Sequence, residues 1–141
     1  MPETTARSSL PCTPRIPCSA DTPTPLVRGR IGVDRAGGFY PAPHRYELFL
    51  TEGCPESRAL LSAVALLGLK GSVYVTTVPE RPADAPEAHA ALLSAYEATV
   101  HPFTGAPAVP ALVDRWSGRL VSNHTADILD DLTGPLSEQV S

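Results

Sequence analysis

A chain of 141 residues is expected to form one compact domain whose core comes from only part of its length. The formal net charge of −4, with no cluster among the 11 Lys and Arg residues, argues against a nucleic-acid surface. No apolar run approaches membrane-spanning length and no secretory apolar region opens the chain, so the expectation is a cytoplasmic protein without membrane contact.

Six of the 16 prolines fall in the first 25 residues (Pro2, Pro11, Pro14, Pro17, Pro23 and Pro25), among Ser and Thr and few large apolar residues. Residues 1–26 therefore read as a disordered leader. Its two cysteines, Cys12 and Cys18, lack zinc-site spacing. They read as incidental thiols, or as the source of a resolving partner for a disulfide formed on Cys54. His44, His89, His101 and His124 show no ligand spacing either, so no metal is expected. Residues 27–44, with Gly37 and Gly38 before Phe39 and Tyr40, predict an extended arm laid against the domain.

Residues 46–50 alternate well enough for a strand and are apolar enough for a central one. Residues 57–67 are rich in the helix formers Ala and Leu, and Gly68 supplies a stop. Residues 73–78 are β-branched and end at Pro79, which predicts a second strand joined by a crossover long enough for parallel pairing. Residues 86–96 predict a short helix whose apolar side is Ala88, Leu92, Ala95 and Tyr96. Residues 111–113 and 119–121 flank a turn ending at Gly118, a hairpin pattern. Ser122 or Asn123 is expected to cap a last helix over 125–132, ended by Gly134 and Pro135. The order βαβ, helix, ββα is that of an α/β thioredoxin-like domain over residues 45–135, a four-stranded mixed sheet flanked by helices. Residues 136–141 read as a tail.

The densest chemistry lies between Glu52 and Ser57, at the junction of the first strand and first helix. Cys54 sits just before the first helical turn, where unpaired N–H groups and the helix dipole favour a thiolate, the reactive form. Ser57 completes a Cys-x-x-Ser spacing, which suits a monothiol mechanism with a hydroxyl donor. A Cys-x-x-Cys exchange is excluded at this position. Glu56 opposes a neighbouring thiolate by like charge. His124 reads as a solvated cap-region histidine or as a proton-transfer group near Cys54. Tyr46 and Tyr96 read as packing residues, Trp116 as an edge residue, and Asp130 and Asp131 as a solvated pair at a helix end.

Taken in order, Arg28 to Ile31, Gly37 to Phe39, Arg45 with Tyr46, Cys54-Pro55, Thr104-Gly105, Val109-Pro110, Asp114 and Val121 to Asn123 carry a resemblance. The chain resembles the N-terminal domain of the Xi-class glutathione transferases, the glutathionyl-hydroquinone reductases, over roughly residues 28–132. The resemblance implies glutathione or another low-molecular-weight thiol as co-substrate, a thiol-conjugated substrate, and Cys54 as the nucleophile that accepts the thiol group. It implies that Pro55, Val109 and Pro110 position the peptide part, with a cis bond before Pro110. It also implies that Ser122, Asn123 and Thr125, with His124 between them, hold the carboxylate of the thiol at a helix N-terminus. The chain departs from the family at Glu56, where the family has Trp, and at His124, where it has Glu. A long helical domain that follows in the family has no counterpart in these residues. The uncovered apolar face this implies predicts a homodimer or a helical partner. Two functions stay open: a small glutathione-transferase-like thiol oxidoreductase working through a Cys54 mixed disulfide, and a non-catalytic thioredoxin-like binding module or degenerate transferase acting with a partner.

Overall fold

Strand β1, Tyr46–Leu50, is buried at four of its five residues and lies inside a four-stranded sheet of order β2-β1-β3-β4. The computed structural model describes residues 27–31, 39–40, 42, 44–79, 81–100, 102–103 and 107–138. The expected leader over 1–26, Cys12, Cys18 and the glycines at 37 and 38 lie outside the described residues.

β1 leads into α1, Pro55–Leu67, which begins with Pro at a position where the missing N–H is harmless. Ser57, Leu60 and Val64 form its buried stripe at helical spacing. Gly68 ends it at φ 69°, where its N–H turns back to the carbonyls of Ala65 and Val64. A short turn over Leu69–Gly71 returns the chain to β2, Tyr74–Thr77, which pairs parallel with β1 in the register Leu48 to Val75. A second short turn, Pro82–Asp84, precedes α2, Pro86–Thr99. α2 runs three residues past the expected 96, and the side chain of Thr99 turns back onto the Ala95 carbonyl at 2.9 Å.

β3, Ala111–Asp114, pairs antiparallel with β1, Leu48 facing Leu112. β4, Leu120–Ser122, closes the hairpin with a register shift between Leu112 and Val113. α3, Thr125–Thr133, follows with His124, not Ser122 or Asn123, at its N-cap. Gly134 ends α3 as its C-cap, as expected, but the residues after it are not all tail. A short helix α4, Pro135–Glu138, buries Leu136 in the core.

Alternation along β1 divides the interior in two. Tyr46, Leu48 and Leu50 pack with Leu60 and Val64 of α1 and Ile128 and Leu132 of α3. Phe49 faces the other way, with Leu92, Ala95 and Tyr96 of α2. The expected fold class, a mixed four-stranded sheet flanked by helices, is the observed one. The expected packing roles of Tyr46 and Tyr96 hold, since both are fully buried.

The described part of the arm lies on this domain. Arg28 bridges to Ser122, and Gly29 donates to the Val121 carbonyl at 2.8 Å. A Cβ at Gly29 would stand 2.5 Å from that same oxygen, so no larger residue fits. Arg28 grips Asp127 through two hydrogen bonds of 2.8 and 3.1 Å, and Arg30 reaches Asp131 at 3.0 Å. Asp131 also accepts the N–H of Ile31. It is fully buried, which corrects the reading of Asp130 and Asp131 as a solvated pair; only Asp130 is exposed. An acid near a helix C-terminus is unfavourable when solvated, but the arm supplies a cation that sequence spacing does not reveal.

Candidate functional site

Cys54 takes the N-cap position of α1 in an extended conformation, φ −102° and ψ 118°, with no side-chain cap bond. The turn before it is fastened twice. The Cys54 N–H reaches the Thr51 carbonyl at 3.4 Å, and the Thr51 N–H donates to Ser57 Oγ at 3.1 Å. Ser57, expected as a donor to a thiolate, is thus buried and accepts a bond that shapes the loop. Thr51 Oγ1 is itself buried without a hydrogen-bond partner.

The sulfur of Cys54 faces the Val109 carbonyl oxygen at 4.0 Å, and the Val109–Pro110 bond is cis, as the resemblance implied. Cys54 is engaged in a disulfide, so this approach is a packing contact without a thiol proton. The described residues contain no second cysteine. The sulfur residue is 1% exposed. Val109 and Pro110 are buried beside it, while Pro55 is exposed at the rim.

The loop carrying Val109 hangs on Tyr96, whose hydroxyl donates to the Ala108 carbonyl at 2.8 Å and accepts from Asn123 Nδ2 at 3.1 Å. Burial pushes the Tyr96 hydroxyl up to about 12, partly offset by its hydrogen bonds with Asn123 and Ala108. Asn123 Oδ1 meanwhile accepts the Val27 N–H at 2.8 Å. The Asn123 amide, 2% exposed, ties the arm, Tyr96 and the Val109 loop together instead of facing solvent.

The start of α3 lies beside the start of α1. Thr125 Oγ1 donates to Glu56 Oε1 at 2.5 Å, joining the first turns of the two helices. His124 offers no side-chain cap. Its Nδ1 is buried at 3.4 Å from Asp127 Oδ1, an ion-pair distance without hydrogen-bond geometry. The Arg28 hydrogen bonds hold the Asp127 carboxyl below its usual value, against the opposing effect of burial.

Two cavities open beside the Cys54 loop, at the carboxyl ends of the parallel strands β1 and β2. One, of about 340 Å³, is lined by Thr51, Ser57, Arg58, Leu61 and Thr77 among others. The other, of about 660 Å³, is lined by Thr51, Glu52, Gly53, Thr77, Val78 and Pro79. Neither is lined by Cys54, Pro110 or Thr125, although both are lined by residues of the loop that carries Cys54. The structure thus brings Cys54, Val109 and Pro110 together, places Glu56 on Thr125, and gives Asn123 and Ser57 internal partners. Sequence reasoning missed Thr51 and Thr77, which carry only the signal of standing at strand ends.

No family model and no curated protein matches the sequence. Solved structures do. The Xi-class glutathione transferase of Natrialba magadii superposes with a TM-score of 0.65 at 20% identity, over 82% of this chain and 41% of that one. Glutathione transferase Xi 1 of Trametes versicolor gives 0.65 at 23% identity, over 79% and 44%. The Xi glutathione transferase of Saccharomyces cerevisiae, solved in complex with glutathione, gives 0.62 at 16% identity, over 83% and 46%. The chain carries the thioredoxin-like fold of Xi-class glutathione transferases. It spans less than half the length of each of these proteins. Among the described residues no helix is long and apolar enough to cross a membrane.

Proposed function

We propose that the chain is a small glutathione-transferase-like thiol oxidoreductase that works through Cys54. The observation that carries this reading is the seat of the sulfur, at the start of α1 and opposite the carbonyl that precedes the cis Val109–Pro110 bond. Helix N-termini stabilise thiolates. The likeness in fold to Xi-class enzymes, one of them solved with glutathione, supports a low-molecular-weight thiol as co-substrate.

In the cycle, reduction of the Cys54 disulfide by an external thiol releases the thiolate. The thiolate attacks one sulfur of a mixed disulfide; a Cys54–sulfur bond forms as the other thiol leaves with the bonding electron pair and takes a proton. With a thioether conjugate, carbon leaves with the pair and is protonated. A second thiol then attacks the adduct and Cys54 departs as thiolate. Val109 and Pro110 position the bound thiol, with Pro55 at the rim and Thr125 and His124 at the far end; Ser57 and Asn123 hold the loops that shape the site. The cytoplasm, where thiols are kept reduced, suits this cycle.

A second reading, a non-catalytic module that docks a second copy or a helical partner, is favoured by one observation. Leu61, Leu66 and Leu129 are 40%, 87% and 39% exposed on α1 and α3.

The deciding experiment is intact mass of the reduced protein after incubation with oxidised glutathione, beside Cys54→Ser. A single adduct that vanishes in Cys54→Ser and clears with free glutathione supports the enzyme. An adduct on Cys12 or Cys18 alone, or none, leaves the binding module.

A further inference from the structure

We propose that the tip of the β3–β4 hairpin, residues 115–119, forms with Tyr74 a docking surface for an acidic segment of a protein partner. The tip lies at the end of the sheet away from Cys54, where Asp114 pairs with Tyr46 at the start of β1. The proposal is therefore independent of the thiol chemistry above.

All five residues of the tip are exposed, and they hold two arginines and no acid in a chain of net charge −4. Trp116, the single tryptophan of the chain, is 67% exposed, and Tyr74 at the start of β2 is 44% exposed. Arg115 joins the two rings into one patch. It precedes Trp116, and its guanidinium lies 4.0 Å from the centre of the Tyr74 ring. The patch is held from below. Buried Asp114 accepts the Trp116 N–H at 3.0 Å and the Ser117 hydroxyl at 2.7 Å, and the Gly118 N–H closes on the Asp114 carbonyl at 2.8 Å. Arg45, bonded twice to Asp114, stacks 4.7 Å from the centre of the indole ring. A buried ion pair thus keeps an exposed tryptophan in place, so a partner that covers it gives up little ordering entropy.

Trp, Tyr and Arg are the residue types that dominate binding energy where proteins meet. The acids beside the patch are already engaged. Asp114 lies beneath it on Arg45, while Glu47 accepts the Thr76 hydroxyl and stands 3.9 Å from Arg115. Carboxylates brought from outside meet the guanidinium groups of Arg115 and Arg119, and apolar parts of the same segment cover the two rings. A nucleic acid or an anionic membrane presents a long tract of negative charge. The net charge of −4 repels such a tract and two arginines cannot follow it, whereas they match a short acidic segment.

The test uses the full-length chain and a fluorescein-labelled copolymer of glutamate and tyrosine, with binding read by anisotropy. Saturable binding is expected, weakened about tenfold in Arg115→Gln and in Trp116→Ala. It is expected to be unchanged in Arg81→Gln, an exposed arginine on another loop. Trp116→Ala removes the ring from Arg45 and can loosen the tip. Arg115→Gln leaves every bond to Asp114 in place, so a loss in that variant with an unchanged urea midpoint upholds the surface. The unlabelled copolymer is expected to shift the emission of Trp116 to shorter wavelength, and an unshifted spectrum overturns the proposal. So does the absence of binding, or equal binding by wild type and Arg115→Gln. Two further outcomes replace the acidic segment with another occupant and overturn the proposal as well. One is tighter binding of oligothymidylate or of phosphatidylserine vesicles than of the copolymer, lost in the same variants. The other is self-association in sedimentation velocity that Arg115→Gln abolishes, which gives the patch to a second copy.

Discussion

At the hairpin end of the sheet, Arg45 and Asp114 meet in two hydrogen bonds of 2.8 and 2.9 Å, both residues buried. Asp114 also accepts the Trp116 N–H and the Ser117 hydroxyl, and the Arg45 guanidinium stacks 4.7 Å from the Trp116 ring. Burial pushes the Asp114 carboxyl up, but Arg45, Ser117 and the Trp116 N–H together bring it below its usual value. At the opposite end, Cys54 touches the Val109 loop at 4.0 Å, Thr51 keeps a buried oxygen without partner, and two cavities flank the loop. At the hairpin end the buried Asp114 and Arg45 side chains have hydrogen-bond partners. The other leaves room and unmet bonding capacity, which is where a ligand has something to gain.

Breaking the hairpin end has the largest expected effect. Asp114→Ala takes the carboxylate partner from the buried Arg45 guanidinium and the acceptor from the Trp116 N–H and the Ser117 hydroxyl, and the loss of stability is expected at about 3 kcal/mol. Urea denaturation measures it; a loss under about 1 kcal/mol would show that water reaches Arg45 and that the two ends are not so different.

The opposite change is expected at the Cys54 end. Thr51→Val replaces an unpartnered buried hydroxyl by a methyl of similar shape, so stability is expected to rise by about 1 kcal/mol. A destabilised Thr51→Val would mean that the hydroxyl has a partner in solution, most simply a water in the adjoining cavities.

The same contrast explains what could be read from the sequence. All four strands and the order of elements were legible, because β1 alternates and β2 is β-branched, and the sheet reports those local signals directly. Cys54 beside Val109 and Pro110 was legible through the resemblance. The contacts of Asn123 with Val27 and Tyr96, of Asp131 with Arg30, and of Glu56 with Thr125 were not. Each joins residues far apart in the chain through one polar atom, and no periodicity encodes such a pair. Gly134 ended α3 as expected, but the tail read after Pro135 failed for a local reason. Pro is well tolerated at a first helical position, so Pro135 opened α4 where a tail was expected to follow.

A finer comparison sits on α3, whose two buried acids are shifted in opposite directions. Arg28 holds Asp127 below its usual value, whereas burial raises Asp131, outweighing the hydrogen bond from Arg30. For Asp127, the stabilising contribution is present above the ordinary carboxylate value of about 3.9 and is lost as pH falls through the lower folded value. The stability gap between wild type and Asp127→Asn is therefore expected to narrow below about pH 3.9. For Asp131 the sign reverses: the folded state holds the proton more tightly, so stability falls as pH rises from about 3.9 toward the raised value. Asp131→Asn removes that fall and gains on wild type over this window. Urea titrations at several pH values read both slopes, and parallel curves for the two variants would refute the opposed shifts.

The smallest effect on stability is expected where the surface is most exposed, and that is what makes it informative. Leu66, at 87% exposure in the last turn of α1, touches little in the isolated fold. Leu66→Lys is therefore expected to change stability by less than about 0.5 kcal/mol, with a cation at the helix end mildly favourable. A face that docks a second copy behaves otherwise: a lysine in its middle must be desolvated, and assembly weakens while the fold of each copy stands. Sedimentation velocity over a range of concentrations separates the cases. A dimer that Leu66→Lys dissociates, without a change in the urea midpoint at low concentration, assigns the α1–α3 face to self-association. A monomer in both forms removes the second copy as its occupant and leaves a heterologous helical partner as the remaining form of the docking module.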